Sequence, residues 1–391
     1  MAVVYDVPLE DVFAAYYECR KHKRNKSGAL QFEVDLESNL IQLWQDLRAS
    51  QYELEPSSVF IVEKPKPREV FAASFRDRIV HHLLLMYLNP LFERYFIYDS
   101  YSCRTGKGTH FGITRVQHFI RSCSQNGKRR CWILKIDIQS FFMSISKAIL
   151  YRRLCDFIEA RYTAENKAFV LYLCKKIIFN NPTEKCIFKS PTEKWKLIPK
   201  EKSLFFTKDG YGLPIGNFTS QVFANFYLSP FDHFVKHECG VRYYGRYVDD
   251  CVIVGESHSF LKRVVPKMQN FLESESELHV HPKKLYLQLY HKGVRFLGVF
   301  VKPSYCVSNP RTFRNFEQSI KKFNTIAENH KPTKEERTSL ISSVNSYLGI
   351  LRHYKSYHLR NSVLTEKLSP MWLRQVAIFG KAEKLSVRGK R

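Results

Sequence analysis

Three aspartates carry the clearest chemical potential in this sequence. Asp249 and Asp250 are adjacent, flanked by Tyr247-Val248 on one side and Cys251-Val252-Ile253-Val254 on the other. Two carboxylates in so apolar a setting repel each other and are poorly hydrated, and a divalent cation relieves both problems. A hairpin bend accounts for the pair equally well, because Asp suits turns. Asp137 shifts the balance, since it too ends an apolar run, Ile133-Leu134-Lys135-Ile136. Three strand-end carboxylates supply the hard oxygen ligands of a two-Mg2+ phosphoryl-transfer site. There, one ion activates an attacking hydroxyl and the other steadies a pyrophosphate leaving group.

The charge balance suggests the substrate. Lys and Arg number 62 against 37 Asp and Glu, a formal net charge of +25. Such an excess is self-repelling unless a polyanion covers it, which makes nucleic acid the first expectation and an acidic membrane the second. Phe and Tyr, at 30 and 22 residues, add faces on which bases could stack, although most aromatics fill cores. Apolar runs such as Leu83-Leu84-Leu85-Met86 are too short to span a bilayer, and Met1 to Pro8 lacks the pattern of a signal peptide. The ten Cys are scattered without a C-x-x-C pair, which argues against a zinc ribbon or disulfide framework and for a reducing cytoplasm. The scattered His residues, His81-His82, His279 and His281, suggest no metal site.

The elements that must position the acids can be read from periodicity. Helical spacing places Val12, Phe13, Tyr16 and Tyr17 on one face, and Leu36, Leu40, Leu43, Trp44 and Leu47 on another. The basic run from Arg20 to Lys26 between them reads as a solvated loop. Val59 to Val62 is strand-like and leads into Lys64-Pro65-Lys66-Pro67-Arg68, whose prolines hold the backbone extended. Helices are expected near 76–87, 114–121, 147–160 and 164–179, with a buried strand over 131–138. The polar, Lys-rich stretch 181–210 reads as a protruding hairpin or loop insertion. A turn at Gly212-Leu213-Pro214-Ile215-Gly216 feeds a helix to about 234, and 241–254 reads as a hairpin with the acids at its bend. A helix over 260–272 and strands at 285–290 and 294–301 follow. Beyond 304 the pattern is helical: Phe313, Phe316, Ile320 and Phe323 share a face, as do Leu340, Ile341, Val344, Tyr347 and Leu348, before a basic tail from Lys381 to Arg391.

These residues carry a family resemblance. Tyr247-Val248-Asp249-Asp250 resembles the Y-x-D-D box of reverse transcriptases, and Asp137-Ile138-Gln139-Ser140-Phe141-Phe142 resembles their first palm motif. Further blocks follow the family's order: Ser74-Phe75-Arg76-Asp77-Arg78-Ile79-Val80, Tyr101-Ser102-Cys103-Arg104-Thr105-Gly106-Lys107-Gly108, His281-Pro282-Lys283-Lys284 and Phe296-Leu297-Gly298. The resemblance implies an α+β right-hand polymerase with fingers, a palm of antiparallel sheet and flanking helices, and a helical thumb. Residues 1–130 would be an N-terminal extension and fingers, 131–302 the palm with the 181–210 insertion and returning fingers elements, and 303–391 the thumb and tail.

The same resemblance assigns roles. Asp137, Asp249 and the carbonyl of Ile138 would hold two Mg2+ ions, with Asp250 in support and Mn2+ able to substitute. Phe142 would be the gate that collides with a ribose 2′-hydroxyl, while core filling suits Phe141 better. Lys66, Arg68 and Arg76 would clamp the triphosphate. Lys284 would give a proton to pyrophosphate. Ile215, Gly216 and Gln221 would line the nucleotide pocket. Phe296, Leu297 and Gly298 would form the primer grip, where glycine allows close backbone approach. The thumb would hold an RNA–DNA hybrid by shape.

One block narrows the resemblance. Most of the family has Pro-Gln-Gly where this chain has Pro214-Ile215-Gly216, and the string Ile215-Gly216-Asn217-Phe218-Thr219-Ser220-Gln221 resembles the enzymes of diversity-generating retroelements. Those copy a template RNA into cDNA with errors opposite adenine. An apolar side chain in place of an amide would police pairing less strictly, although simple packing against the helix also accounts for Ile215. The expected partners are template RNA, the hybrid, dNTPs and a small, basic, oligomeric accessory variability protein. No membrane is expected, and the setting is the cytoplasm of a bacterial or phage-infected host cell. Gln139 and Ser140 depart from the Lys and Gly of intron enzymes. Competing readings are a group II intron-like or phage-defence enzyme of ordinary fidelity, and a non-catalytic RNA-binding scaffold.

Overall fold

In the first strand, Ser57, Val59 and Ile61 are buried and alternate with half-buried Ser58, Phe60 and Val62, the period of a sheet with one face on the core. The computed structural model describes residues 3–21, 23–63 and 66–388. His22 of the basic run, Lys64 and Pro65 of the proline-braced segment, and the last three residues of the tail lie outside the described residues. The strands are β1 (Ser57–Val62), β2 (Arg68–Ala72), β3 (Trp132–Asp137), β4 (Cys186–Phe188), β5 (Tyr243–Tyr247), β6 (Asp250–Gly255) and β7 (Tyr286–Leu289). They are followed by β8 (Val294–Phe296), β9 (Val299–Val301), β10 (Cys306–Ser308), β11 (Val376–Phe379) and β12 (Lys384–Val387). A four-stranded sheet has the order β5-β6-β3-β7, and a three-stranded one β2-β1-β4.

The chain divides into two compact units. One comprises Met1–Thr109, Lys135–Ile253 and Ser259–Tyr286, and the other His110–Leu134, Val254–His258 and Leu287–Arg391. In the first, the helix Leu9–Arg20 buries Val12, Ala15, Tyr16 and Cys19, so its inner face includes Cys19 while Tyr17 is exposed. The helix Leu36–Arg48 buries Leu40, Leu43 and Leu47. The long helix Phe75–Tyr95 starts at Ser74, whose hydroxyl accepts from the Asp77 amide. The helix Phe218–Tyr227 is buried at nearly every position, including Thr219, Ser220 and Asn225.

Two segments differ from expectation. Residues 181–210 do not protrude as a hairpin. Their strand β4 pairs parallel to β1, Ser57 opposite Cys186 and Val59 opposite Phe188. Buried Glu69 accepts hydrogen bonds from the Ser203 hydroxyl and the Leu204 amide, which stitches the segment to β2. The tail from Lys381 is likewise not free. It supplies β12, which pairs antiparallel with β11, and Asn345 closes a two-way amide bridge to Leu385, donating to its carbonyl at 2.8 Å and accepting from its amide at 2.7 Å. Leu385 is fully buried, worth about 2 kcal/mol of apolar burial. It joins a helical core of Phe316, Ile320, Leu340, Val344, Leu348 and Trp372, with Phe313, Phe323, Ile341 and Tyr347 packed against it.

Candidate active site

Alternation along β3 sets the site's first side. Leu134 and Ile136 are buried on one face, while Lys135 and Asp137, two residues apart, share the other with buried Ile133. Beyond the strand, Ile138 faces Val280 across an isolated antiparallel bridge. The flanking hydrogen bonds run from the His281 amide to the Asp137 carbonyl (2.8 Å) and from the Gln139 amide to the His279 carbonyl (2.9 Å). This is a non-hydrogen-bonded pair, so the Ile138 carbonyl is not used in it. The second side is the β5–β6 bend, with Asp249 at the turn and Asp250 opening β6. Val248 in that bend has φ +57°, a left-handed conformation that a β-branched residue adopts only under constraint.

Electrostatics tie the acids together in a particular way. Burial, then the charge of Asp137, pushes the Asp249 carboxyl up to about 6. Burial also raises Asp250 to about 6, against the pull of Lys135. Lys284 Nζ donates to Asp137 Oδ1 at 2.6 Å. Lys135 Nζ stands 3.1 Å from both oxygens of Asp250 and hydrogen-bonds to Oδ2, leaving buried Oδ1 without a hydrogen bond. Asp249 and Asp137 both add to the cost of charging Asp250. Among the described residues, no three His, Cys, Asp or Glu side chains are grouped to hold a metal ion. Asp250 is paired with the ammonium of Lys135 on the neighbouring strand, while Asp137 raises the cost of charging Asp249. Two hard carboxylates in that relation, with the Ile138 carbonyl close by in sequence, fit a divalent cation. Lys135 escaped the sequence reading because one charge in an apolar strand looks like a solvent-facing residue. Its spacing of two from Asp137 was the available signal.

Residues 62–301, more than half of the chain, match the family model described as reverse transcriptase (RNA-dependent DNA polymerase). The chain belongs to the reverse transcriptase family. Members of this family use divalent metal ions. Protein YkfC of Escherichia coli (strain K12) is 26% identical over 125 residues, 32% of each chain. Among solved structures, telomerase from Candida albicans in complex with a TWJ fragment of telomeric RNA is similar at 13% identity and a TM-score of 0.48, covering 81% of this chain and 56% of that one. Apo telomerase from Candida tropicalis is similar at 12% identity and a TM-score of 0.47, covering 79% and 55%. The matches thus span about a third of the curated relative and just over half of the telomerases. Helices and sheets give the α+β class expected from the motifs, and among the described residues no helix is long and apolar enough to cross a membrane.

The other residues expected to serve this reverse transcriptase are placed as follows. Ser140, at φ +45°, turns the chain into the short helix Phe141–Ser144. Phe141 is buried, while Phe142 and Ile215 are both partly buried against one cluster of Val59, Phe71, Met143 and Leu204. The Ile215 carbonyl accepts from the Phe71 amide at 2.7 Å. Gly216 has φ +132°, and a Cβ there would lie 2.5 Å from the Phe71 carbonyl oxygen, so no other residue fits. Gln221 is exposed on the helix and accepts from the Cys103 thiol. Lys66 and Arg68 are exposed.

Arg76 is not presented for a triphosphate as it stands. Its guanidinium is bound to Asp46 at 2.7 Å and to the Glu53 carbonyl at 3.0 Å, and it lies over the Tyr52 ring. In the other unit, Phe296 pairs with Val299 across a two-residue turn in which Leu297 (φ +50°) and Gly298 (φ +82°) are both left-handed, a type I′ hairpin. Space beside Gly298 is open, and the left-handed turn by itself favours a glycine there.

Proposed function

We propose that this chain is an error-prone RNA-directed DNA polymerase that copies a template RNA into mutagenised cDNA, as in a diversity-generating retroelement. The observation that supports polymerisation is the placing of Asp137 and Asp249 at the ends of adjacent elements, where the charge of Asp137 adds to the cost of charging buried Asp249. Supporting the error-prone reading is Ile215, an apolar residue packed against the same cluster as Phe142, where an amide would read the pair. Residues 1–130 serve as N-terminal extension and fingers, 131–302 as palm and 303–391 as thumb. Template RNA, the RNA–DNA hybrid and dNTPs are the ligands, and a small basic oligomeric accessory protein is the partner.

The reaction joins the primer 3′-oxygen to the α-phosphorus and breaks the bond to the β-phosphate. Two Mg2+ ions, or Mn2+ in their place, would be held by Asp137, Asp249 and the Ile138 carbonyl. They would supply charge neutralisation to the attacking and leaving oxygens. The chain's own groups do the rest. Lys284 Nζ carries the proton that the departing pyrophosphate needs, and in its absence is held by Asp137. Phe142 excludes the 2′-hydroxyl, and exposed Lys66 and Arg68 meet the triphosphate, with Arg76 joining once released from Asp46.

Primer extension on RNA with dNTPs and Mg2+ tests the proposal. Asp137→Ala and Asp249→Ala should each abolish extension. Asp250→Asn, whose partner is Lys135, should retain measurable activity. Unaltered extension by Asp249→Ala would remove the site.

A further inference from the structure

The most completely hydrogen-bonded side chain in the first unit plays no part in the roles assigned so far. Arg246 immediately precedes Tyr247-Val248-Asp249-Asp250, and both it and its partner Asp232 are 0% exposed. All five N–H groups of the guanidinium have acceptors. Nε and Nη2 form a fork on Asp232 at 2.7 and 2.5 Å. Nη1 donates to Asn225 Oδ1 at 3.0 Å and to the carbonyl of Val248 at 2.9 Å, and Nη2 also donates to the carbonyl of Asn225 at 3.2 Å. Tyr244 completes the aspartate from the other side, its hydroxyl donating to Oδ1 at 2.6 Å. A buried ion pair is costly unless every polar atom is met, and here each is.

Three of those five bonds end on functional elements. Val248 is the left-handed residue of the catalytic turn, and its carbonyl is held by Nη1. Asn225 lies on the helix Phe218–Tyr227, which carries Gln221 of the nucleotide pocket, and its amide group donates to the Ser102 carbonyl at 2.8 Å. The backbone of Arg246 is fixed as well. Its amide donates to the Asp99 carbonyl, and its carbonyl accepts from the Tyr101 amide. One planar cation thus connects the turn that aims Asp249 to the helix that frames the incoming nucleotide. A valine does not stay at φ +57° unless something holds it there.

We propose that Arg246 is a positioning residue for this polymerase: its fork on Asp232 locks the strained Val248 turn, and so the direction of Asp249, in register with the helix bearing Asn225. The inference rests on the polymerase reading for its activity arm only. Lysine has three donors and no planar fork, so Arg246→Lys keeps the charge and gives up the geometry. The variant should keep its KM for primed RNA within roughly threefold and lose kcat by roughly 100-fold, the scale expected of a misaimed reacting group. Hydrogen exchange should rise roughly tenfold in the peptide spanning 243–254 and stay unaltered in 334–351.

Adding Val248→Gly, which takes a positive φ without a Cβ conflict, should return part of the lost kcat. Arg246→Lys with kcat within threefold of the parent, or with unaltered exchange in the turn, would overturn the inference. So would a double variant no more active than Arg246→Lys alone. If exchange rises everywhere because Arg246→Lys does not fold, Asn225→Ala, which removes one Nη1 acceptor, should show the same localised rise, and its absence would overturn the proposal. A parent chain that extends no primer would count against the polymerase reading and leave the exchange arm to decide this one.

Discussion

Ile215 and Gly216 are neighbours with opposite tolerances. Ile215 packs its half-buried side chain against the cluster of Val59, Phe71, Met143 and Leu204 while its backbone is tied to Phe71, so the side chain can change without disturbing the strand. Ile215→Gln should therefore leave stability nearly unaltered and lower misincorporation opposite template adenine, read by sequencing cDNA from a defined template. An unaltered error spectrum would reduce Ile215 to packing. Gly216 has no such freedom. A Cβ would meet the Phe71 carbonyl oxygen at 2.5 Å and Val70 Cγ1 at 2.8 Å, on a backbone at φ +132°. Gly216→Ala should cost about 2 kcal/mol or more, measured by denaturant unfolding.

The sequence made Asp137 and Asp249 legible because a carboxylate ending an apolar run has few structural explanations. It hid Lys135 and Arg246, because a lone basic residue in a strand looks the same whether it faces water or a buried acid. The ion pair of Arg76 was hidden for a related reason. Its partner Asp46 lies 30 positions away, on a helix whose packing no local pattern reveals.

At the level of elements, the helix Phe75–Tyr95 shows how a cap can carry a pH dependence. Asp77, 1% exposed, accepts from the Tyr52 hydroxyl at 2.7 Å and the Glu55 amide at 2.9 Å, yet burial pushes its carboxyl up to about 6. In the unfolded chain it ionises near the ordinary value of 3.8. Between those values the folded state binds the proton more tightly, so this contribution to stability is present at acid pH and is lost as pH rises through about 6. Asp77→Asn removes that titration. The stability difference, parent minus variant, should shrink by about 1 kcal/mol between pH 5 and pH 7, followed by urea unfolding at both. A difference constant with pH would mean that Asp77 stays ionised throughout.

Elements whose partners are close in sequence, such as the β5–β6 hairpin and the helix pair Pro310–Asn329 and Lys334–Leu351, were readable from periodicity. The strand β4 was not. Its three residues carry no alternating pattern long enough to register, and its partner β1 is remote. The hairpin Val376–Val387 was hidden because its lysines outweighed buried Val376, Ala382 and Leu385.

For the whole molecule, the net charge of +25 is the dominant long-range property. Association with RNA should be driven by release of counterions, so affinity for a primed template should fall by roughly 10³ or more between 50 and 200 mM salt, measured by fluorescence anisotropy. A flat salt response would show that few phosphates are contacted and that the basic residues serve solubility alone.

The parallel pairing of β1 with β4 has a consequence during synthesis. Val59 must wait for Phe188, and 188 − 59 = 129 residues separate them. At ordinary ribosomal speeds the nascent hairpin of β1 and β2 stands for roughly ten seconds with one bare edge, open to any other extended peptide nearby. Yield of active enzyme from a cell should therefore respond to translation rate and chaperone supply more than the finished protein's own stability would suggest.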